Sequence, residues 1–543
     1  MSAPTPDALT RRAREALGEA DAFDLLAELV ESAPTNLEDP VHQRYEKPNY
    51  TDAAHRLLRW AREFGLAPRL FDGQAGRPAG HELPGGPRPN VVIDLNFGSA
   101  ETVLVMAHYD VVPVPAEQLA RWQSPPHRLT ARADGRLYGR GANDDLGSGT
   151  VAALLALRRL SKGPRPHRNV RLVIACDEET GGAGGIEAMR AHDDRLAADD
   201  PKRILRADVA LIPDGSPHAT AGSCGVVFLD TVVGRPAPLA SILGLGRDLV
   251  GLQGLAKGWR SSYASPDWPD HQAPEAVITG RASLTLFDLT DSGGPSEAPV
   301  LRNLHAEADA ANQIPEAVTL VFAGSKERLS HLSEELGRSV KPPYRLEEAG
   351  ATALNIREGD LALQFIGKGA HGGYPHRGFN PNPPLLELLE GAGERAGLDM
   401  RRLATASFSV DLRLVPEMSL SSGVEPALES VRRSIAARSL SASVVAPEER
   451  CRAGYHLTVD HPALRRLSGL VAETLGEKGV FGEYGGTDAS ALLTVLTPRG
   501  EPIPAIVFGS MDREANIHQA EESVDPRALA GVVETIRRFV CEP

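Results

Sequence analysis

Residues 102–110 read TVLVMAHYD, an uninterrupted apolar run that ends in His108 and Asp110. A run with no polar alternation fits a strand buried on both faces, as in a sheet covered by helices. Four other stretches share the texture, at 90–95, 170–175, 207–212 and 505–508. Between them apolar residues recur at helical spacing over 20–31, 50–64, 147–160 and 185–193; Phe23, Leu25, Leu26 and Leu29 mark the first. Strand and helix alternate. The pattern predicts an α/β domain with a largely parallel sheet flanked by helices.

The texture changes near residue 220. From about 235 to 300 the chain is rich in Gly, Pro, Ser and Asp and its periodicity weakens. Strand-like runs return at 317–322, 361–365 and 406–414, with helical stretches at about 325–337, 384–396 and 424–438. A helix at 462–476 and the run at 505–508 then lead back to the first domain. The expected division is 1–219 and 451–543 as two parts of one domain, with 220–450 an inserted, enlarged α+β domain. Gly244-Leu245-Gly246 has the look of a nucleotide loop but lacks the spacing and a preceding strand, and is read as a structural or disordered insert. No GxxxxGK[ST], GxSxG or HExxH occurs, so NTPase, serine-hydrolase and zincin readings find no support.

A chain of 543 residues is too long for one ordinary core, and 42% apolar residues are enough to fill two. The formal charge of −14 argues against a nucleic-acid or anionic-membrane partner, both of which want a basic face. The N-terminal stretch has no basic segment followed by an apolar run, so no signal peptide is expected. The longest apolar run, 151–157, has seven residues, far below the roughly 18 of a membrane span. Cys176, Cys224, Cys451 and Cys541 lie far apart and form no CxxC, which fits a reducing cytoplasm. A bound metal would be held by His, Asp and Glu.

The candidates lie just past the apolar runs. The run 102–107 leads into His108 and Asp110, 170–176 into Glu178 and Glu179, and 207–213 into Asp214, while Asp144 sits in a Gly-rich turn before the helix at 147. His108, Asp144, Glu179 and Asp214 are separated by 36, 35 and 35 residues, and one strand-helix-strand unit takes roughly 30 or more. Each unit thus delivers one ligand towards the carboxyl edge of the sheet, where open α/β folds build their sites. His518, after the run 505–508, could add a fifth. Imidazole and carboxylate without thiolate suit Zn²⁺ or a similar divalent ion. Two metals roughly 3.5–4 Å apart need a bridging carboxylate, and Asp144 is the candidate. Asp110, two residues after His108, can accept its ring N–H and fix the tautomer. Of the adjacent Glu178 and Glu179, one can bind metal while the other stays a general base. Taken singly, each acidic residue after a strand reads as a helix cap or turn former. The coincidence of all of them carries the signal.

These residues resemble the zinc-dependent exopeptidases and deacylases that include glutamate carboxypeptidase, acetylornithine deacetylase, succinyl-diaminopimelate desuccinylase and aminoacylase. AHYDVVPV (107–114), LYGRGANDD (137–145), DEETGG (177–182), PDG (213–215) and a C-terminal His match that family's signatures in order. The resemblance implies two Zn²⁺ per chain, with Co²⁺ or Mn²⁺ as substitutes. His108 and Asp214 would hold one, Glu179 and His518 the other, and Asp144 would bridge. It implies Glu178 as the base, Asp110 as the partner of His108, and a cis peptide at Asp144–Asp145. Bacterial Xaa-His dipeptidases look nearest: ANQIPEAVTLVF (311–322), GKGAHGGYPHRGFNP (367–381), DLRLVPE (411–417), GGTDAS (485–490) and IHQAEE (517–522) resemble their segments. That likeness suggests His371 as a lid residue steadying the oxyanion, Arg413 for the substrate carboxylate, Asn312 as a further polar contact, and Gly486 and Thr487 lining the pocket. Glu521 stands where those dipeptidases tend to have Asn.

The expected activity is hydrolysis of the amide bond of a small peptide with a free C-terminal carboxylate, most of all a dipeptide. An N-acyl-amino-acid deacylase or carboxypeptidase on the same scaffold is the same-class rival. A non-catalytic peptide-binding relic is the remote one. The enlarged insert would act as the lid, and its size favours a monomer over a homodimer.

Overall fold

The computed structural model describes residues 5–35, 49–75, 83, 86–114, 116–197, 199–264, 277–293, 296–306, 313–349, 356–371 and 378–543. The chain divides into two units: Met1–Gly222, Tyr455–Gly482 and Thr487–Pro543 form the first, Ser223–Gly454 and Glu483–Gly486 the second.

The first unit is built on a nine-stranded sheet. In chain order its strands are β1 (Pro68–Asp72), β2 (Pro89–Leu95), β3 (Thr102–His108), β4 (Asn169–Ala175), β5 (Val209–Ile212), β6 (Ala219–Ser223), β7 (Tyr455–His456), β8 (Val480–Glu483) and β9 (Ala505–Val507). Their order across the sheet is β1-β2-β4-β3-β5-β9-β6-β7, with β8 paired to β6. The centre, β4-β3-β5-β9, is parallel, and the flanks β1/β2, β2/β4 and β9/β6 are antiparallel. Apolar composition explains the central position of β3. Val103, Leu104, Val105 and Met106 are all completely buried, a placement that needs cover on both faces. One face packs Leu104, Met106, Val173, Ala210 and Ile212 against Ile186 and Met189 of the helix Ile186–Asp193.

Topology places the site. From β3 the chain passes through the helix Ala152–Lys162 to β4 on one side, then returns through Ile186–Asp193 to β5 on the other. The strand order therefore reverses at β3, and the carboxyl ends of β4, β3 and β5 surround the switch point where open α/β sheets form ligand crevices. Asp144 does not follow one of these strands. It lies in a turn between the short strand Leu137–Tyr138, which belongs to a separate three-stranded sheet, and a six-residue π-helical turn, Leu146–Val151.

The second unit is an eight-stranded sheet in which every pair is antiparallel, with long central strands Arg281–Asp291, Leu403–Leu414 and Gly225–Pro238. Its core stacks Phe287 on Phe408, with ring centroids 4.7 Å apart. In the stretch at 235–300 the structural alternative of the expected insert holds. Leu239–Ala256 is an 18-residue α-helix whose apolar side, with Leu243, Leu245 and Leu249, belongs to that core. Gly244-Leu245-Gly246 is helical and not a nucleotide loop.

Candidate metal centre

The switch point gathers five side chains into two groups of possible cation ligands. His108, Asp144 and Asp214 form one, Asp144, Glu179 and His518 the other, and within each group one ligand atom per residue lies within 4.8 Å of the others. Asp144 is common to both. His108 Nε2 lies 3.4 Å from Asp144 Oδ1 and 3.8 Å from Asp214 Oδ2. His518 Nε2 lies 3.1 Å from Asp144 Oδ2 and 3.1 Å from Glu179 Oε1. The two oxygens of one carboxylate thus face two imidazoles. The Asp144–Asp145 peptide is cis.

Local sequence fixes each donor. His108 ends β3, and its backbone N–H donates to Asp145 Oδ2 at 3.1 Å while its carbonyl accepts from Thr150 Oγ1 at 2.7 Å. Ser148 Oγ donates to the Pro213 carbonyl, next to Asp214, at 2.7 Å. The turn can close because residues 147 and 149 are glycines. A Cβ on Gly149 would collide with the Asp145 carboxylate, and one on Gly147 with the Ala142 carbonyl. Asp177 occupies the left-handed region at φ 71°, uncommon for a residue with a side chain, and starts the turn carrying Glu178 and Glu179. Its buried carboxylate accepts from Tyr50 Oη at 3.0 Å, Arg88 Nε at 3.3 Å and the Gly184 N–H at 3.1 Å.

Asp110 does more than orient His108. The His108 Nδ1 lies nearer to the Asp110 backbone carbonyl, at 3.1 Å, than to its Oδ1, at 3.4 Å. The carboxylate is shared with the glutamate turn. Oδ1 accepts the Glu178 N–H and Oδ2 the Glu179 N–H, each at 3.0 Å. One aspartate therefore holds both the histidine and the turn of Glu178 and Glu179. Glu178 itself stands outside both donor groups.

Charge inside this crevice is poorly tolerated without a cation. Burial pushes the Glu179 carboxyl up to about 7, with His518 opposing and Asp144 adding to the rise. Burial also raises Asp214 well above the usual carboxylate range, helped by Asp145 and Asp144. Burial would lower both imidazoles, but the carboxylates of Asp110 and Asp144 outweigh it at His108, and those of Glu179 and Asp144 at His518, so both stand well above the ordinary value. Burial acts upward on Asp144 too, yet hydrogen bonds from His108 and His518 hold it far below the carboxylate range. Three carboxylates and two imidazoles without thiolate are a donor set for Zn²⁺ or a similar ion, and three protein donors per ion is the catalytic pattern that leaves a position open. The residues fit a pair of divalent cations.

A family model, peptidase family M20/M25/M40, matches residues 104–542. The chain belongs to this family. The chain is 29% identical over 232 residues to succinyl-diaminopimelate desuccinylase of Acidovorax ebreus, covering 41% of this chain and 51% of that one. It is 36% identical over 118 residues to cysteinylglycine-S-conjugate dipeptidase of Corynebacterium striatum, covering 22% and 23%. The chain thus spans about half the length, or less, of these curated relatives. The structure of human carnosine dipeptidase 1 shares the fold, with a TM-score of 0.57 at 15% identity over 98% of this chain and 99% of that one.

The remaining residues expected at the site are not members of the two donor groups. Asn312 lies outside the described residues. His371 is in the second unit, on the two-residue strand Ala370–His371 paired with Gln313–Ile314. Arg413, also in the second unit, is buried and closes its fork on Asp411, with Nε and Nη2 donating at 2.6 and 2.7 Å and Nη1 donating to the Tyr484 carbonyl at 3.2 Å. Gly486 ends the segment Glu483–Gly486, and Thr487 caps the 3₁₀ turn Asp488–Thr494 by accepting the Ala489 N–H at 2.9 Å. Glu521, the departure from the dipeptidase pattern, pairs with Arg132 and accepts the Gln123 N–H at 2.8 Å. Asp145, Asp177, Ser148 and Thr150 escaped the reading of spacing, because their roles rest on contacts across the fold.

Proposed function

We propose that the chain is a two-zinc hydrolase that cleaves the amide bond of a small peptide bearing a free C-terminal carboxylate, with dipeptides the preferred class. The observation that carries this is the sharing of Asp144 between two three-donor groups. Membership of a peptidase family and the likeness to a cysteinylglycine-S-conjugate dipeptidase support the peptide substrate. His108 and Asp214 would hold one cation, Glu179 and His518 the other, and Asp144 both. Bound there, divalent cations supply Lewis acidity and lower the pKa of water to about 7.

The chain's own part is proton transfer and positioning. A carboxylate oxygen of Glu178 takes a proton from the water that attacks the scissile carbonyl, and returns it to the nitrogen of the leaving amine. Water adds across the C–N bond, giving a carboxylic acid and a free amine. Asp110 sets where that carboxylate stands through the amides of Glu178 and Glu179. Substrate roles for His371, Arg413, Asn312, Gly486 and Thr487 stand on the resemblance alone.

The desuccinylase likeness favours a second reading, removal of an N-acyl group from an amino acid. A hydrolysis screen of zinc-loaded protein separates the two. It covers Xaa-His and β-alanyl dipeptides, tripeptides, and N-acetyl and N-succinyl amino acids. Dipeptide turnover is the expected result; turnover confined to N-acyl amino acids selects the second reading, and none at all removes both.

A further inference from the structure

The two-cation reading, on which this inference rests, demands that two loops far apart in sequence keep a fixed spacing. One carries Asp144, the other His518. Glu522 lies four residues beyond His518 on the same loop and is not a member of either donor group. Its side chain is completely buried, and its Oε1 accepts the backbone N–H of both Asn143 and Asp144, each at 3.2 Å. Its Oε2 accepts from Arg140 Nη1 at 2.6 Å, in a pair where each side chain is 1% exposed. Arg140 lies on the Asp144 loop. Its Nη2 donates to Gln118 Oε1 at 3.3 Å, and Gln118 Nε2 donates to the His518 carbonyl at 3.4 Å. The Glu522 carbonyl accepts from the Gly139 N–H at 3.0 Å. A closed ring of contacts therefore runs from the backbone of one ligand to the backbone of another.

Two features argue that this ring does more than fill space. A buried ion pair is weak evidence for stability, since desolvation of the charges offsets their attraction. Here the same carboxylate also satisfies two amides of the ligand loop. His518 and Glu521 both stand in the left-handed region, at φ 62° and 66°. Residues with side chains remain there only where surrounding contacts over-determine them. The other group has separate anchors, Thr150 on His108 and Ser148 beside Asp214.

We propose that Glu522, together with Arg140, is a positioning residue that fixes His518 against the shared Asp144 and so sets the affinity of the Asp144–Glu179–His518 group for its cation, leaving the His108–Asp144–Asp214 group to its own anchors. Contacts that hold a metal ligand in place from behind typically govern metal affinity by about 10- to 100-fold.

The test uses zinc uptake by the full chain. Arg140→Met combined with Glu522→Leu removes both charges together, so neither is left buried alone. Metal-free wild type and variant are titrated with zinc against a competing chelator, and each is melted with and without zinc. Wild type is expected to take up two zinc ions. In the variant one binding step weakens by about 10- to 100-fold, while the other, which shares Asp144 but keeps the anchors on His108 and beside Asp214, weakens less. Adding His518→Ala to the double variant weakens that step further, but by less than His518→Ala weakens it in the wild type, because Glu522 and Arg140 act through His518. Should the double variant not fold, Arg140→Gln combined with Glu522→Gln, which also leaves no charge buried alone and keeps polar groups facing the loop amides, carries the test, with the same step weakened. Two unchanged steps, or two steps weakened alike beside a lowered metal-free melting temperature, overturn the proposal. A wild type that takes up no zinc overturns the two-cation reading and this inference with it; two zinc ions in wild type and two unaltered steps in the variant overturn this inference alone.

Discussion

Glu178 and Glu179 are neighbours whose backbone amides end on the two oxygens of Asp110, yet only Glu179 faces His518. This division of labour predicts that Glu178→Gln leaves zinc content as in wild type while turnover falls by about 10²- to 10⁴-fold, the usual contribution of a positioned base. Metal analysis beside a kinetic assay checks it, and undiminished turnover would remove Glu178 from the chemistry. Asp110→Ala should act differently. It frees the glutamate turn and withdraws the carboxylate beside the His108 ring, so zinc affinity should fall by about 10- to 100-fold as well as turnover. A competition titration that finds wild-type affinity would confine Asp110 to the glutamate turn. Four donors, His108, Asp144, Glu179 and Asp214, were legible in the sequence because they recur at near-constant spacing, whereas His518, far beyond Asp214, was reached only as the histidine after the run 505–508. Glu522 was not legible, although it stood in the quoted IHQAEE, because nothing in spacing reveals that its carboxylate meets residues 379 and 378 positions earlier in the chain.

At the scale of elements, a glycine-dependent turn sets the register of the site. The segment Leu146–Val151 is wound more widely than an α-helix, and this brings Thr150 to His108 and Ser148 to Pro213. Gly149→Ala would press a methyl group into the Asp145 carboxylate that receives the His108 N–H. Overpacking of this kind costs about 1–3 kcal/mol, so a lowered melting temperature and weakened zinc binding are expected together; a melt indistinguishable from wild type would show that the turn can yield. The central strands were readable because burial on both faces leaves no polar alternation. The helix Leu239–Ala256 was not, since Gly244, Gly246, Gly251 and Gly254 each lower helix propensity by about 1 kcal/mol relative to alanine. Tertiary burial overrides that penalty: the positions that look like breakers let Leu386 and Phe408 approach Gly246, and Arg438 approach Gly244. The helix Pro526–Cys541 also fell outside the expected elements, although Asp525 followed by Pro526 is a start signal.

For the whole molecule, the centre should couple folding, protons and metal. In the metal-free chain burial lifts Glu179 from its ordinary value of 4.5 to about 7, so the folded state holds a proton that the unfolded chain releases near 4.5. The sign follows from proton linkage: stability contributed by this group is fully present below about pH 4.5 and is lost as the pH rises through about 7. Asp214, raised in the same direction, adds to the loss. A divalent cation reverses the requirement, because it needs the carboxylates deprotonated and the imidazoles neutral, and its binding therefore releases protons. Zinc affinity should accordingly fall as the pH drops below about 7, and the stabilisation by saturating zinc should grow from mildly acidic to mildly alkaline buffer. At a free concentration 100 times the dissociation constant, one site contributes about 2.7 kcal/mol. Thermal melts with and without zinc across this range, beside calorimetry in buffers of different ionisation enthalpy, measure both effects. A zinc-induced shift that is constant with pH, with no protons released on binding, would mean that the carboxylates around Asp144 are already ionised in the metal-free protein and that the crevice is far better solvated than its burial indicates.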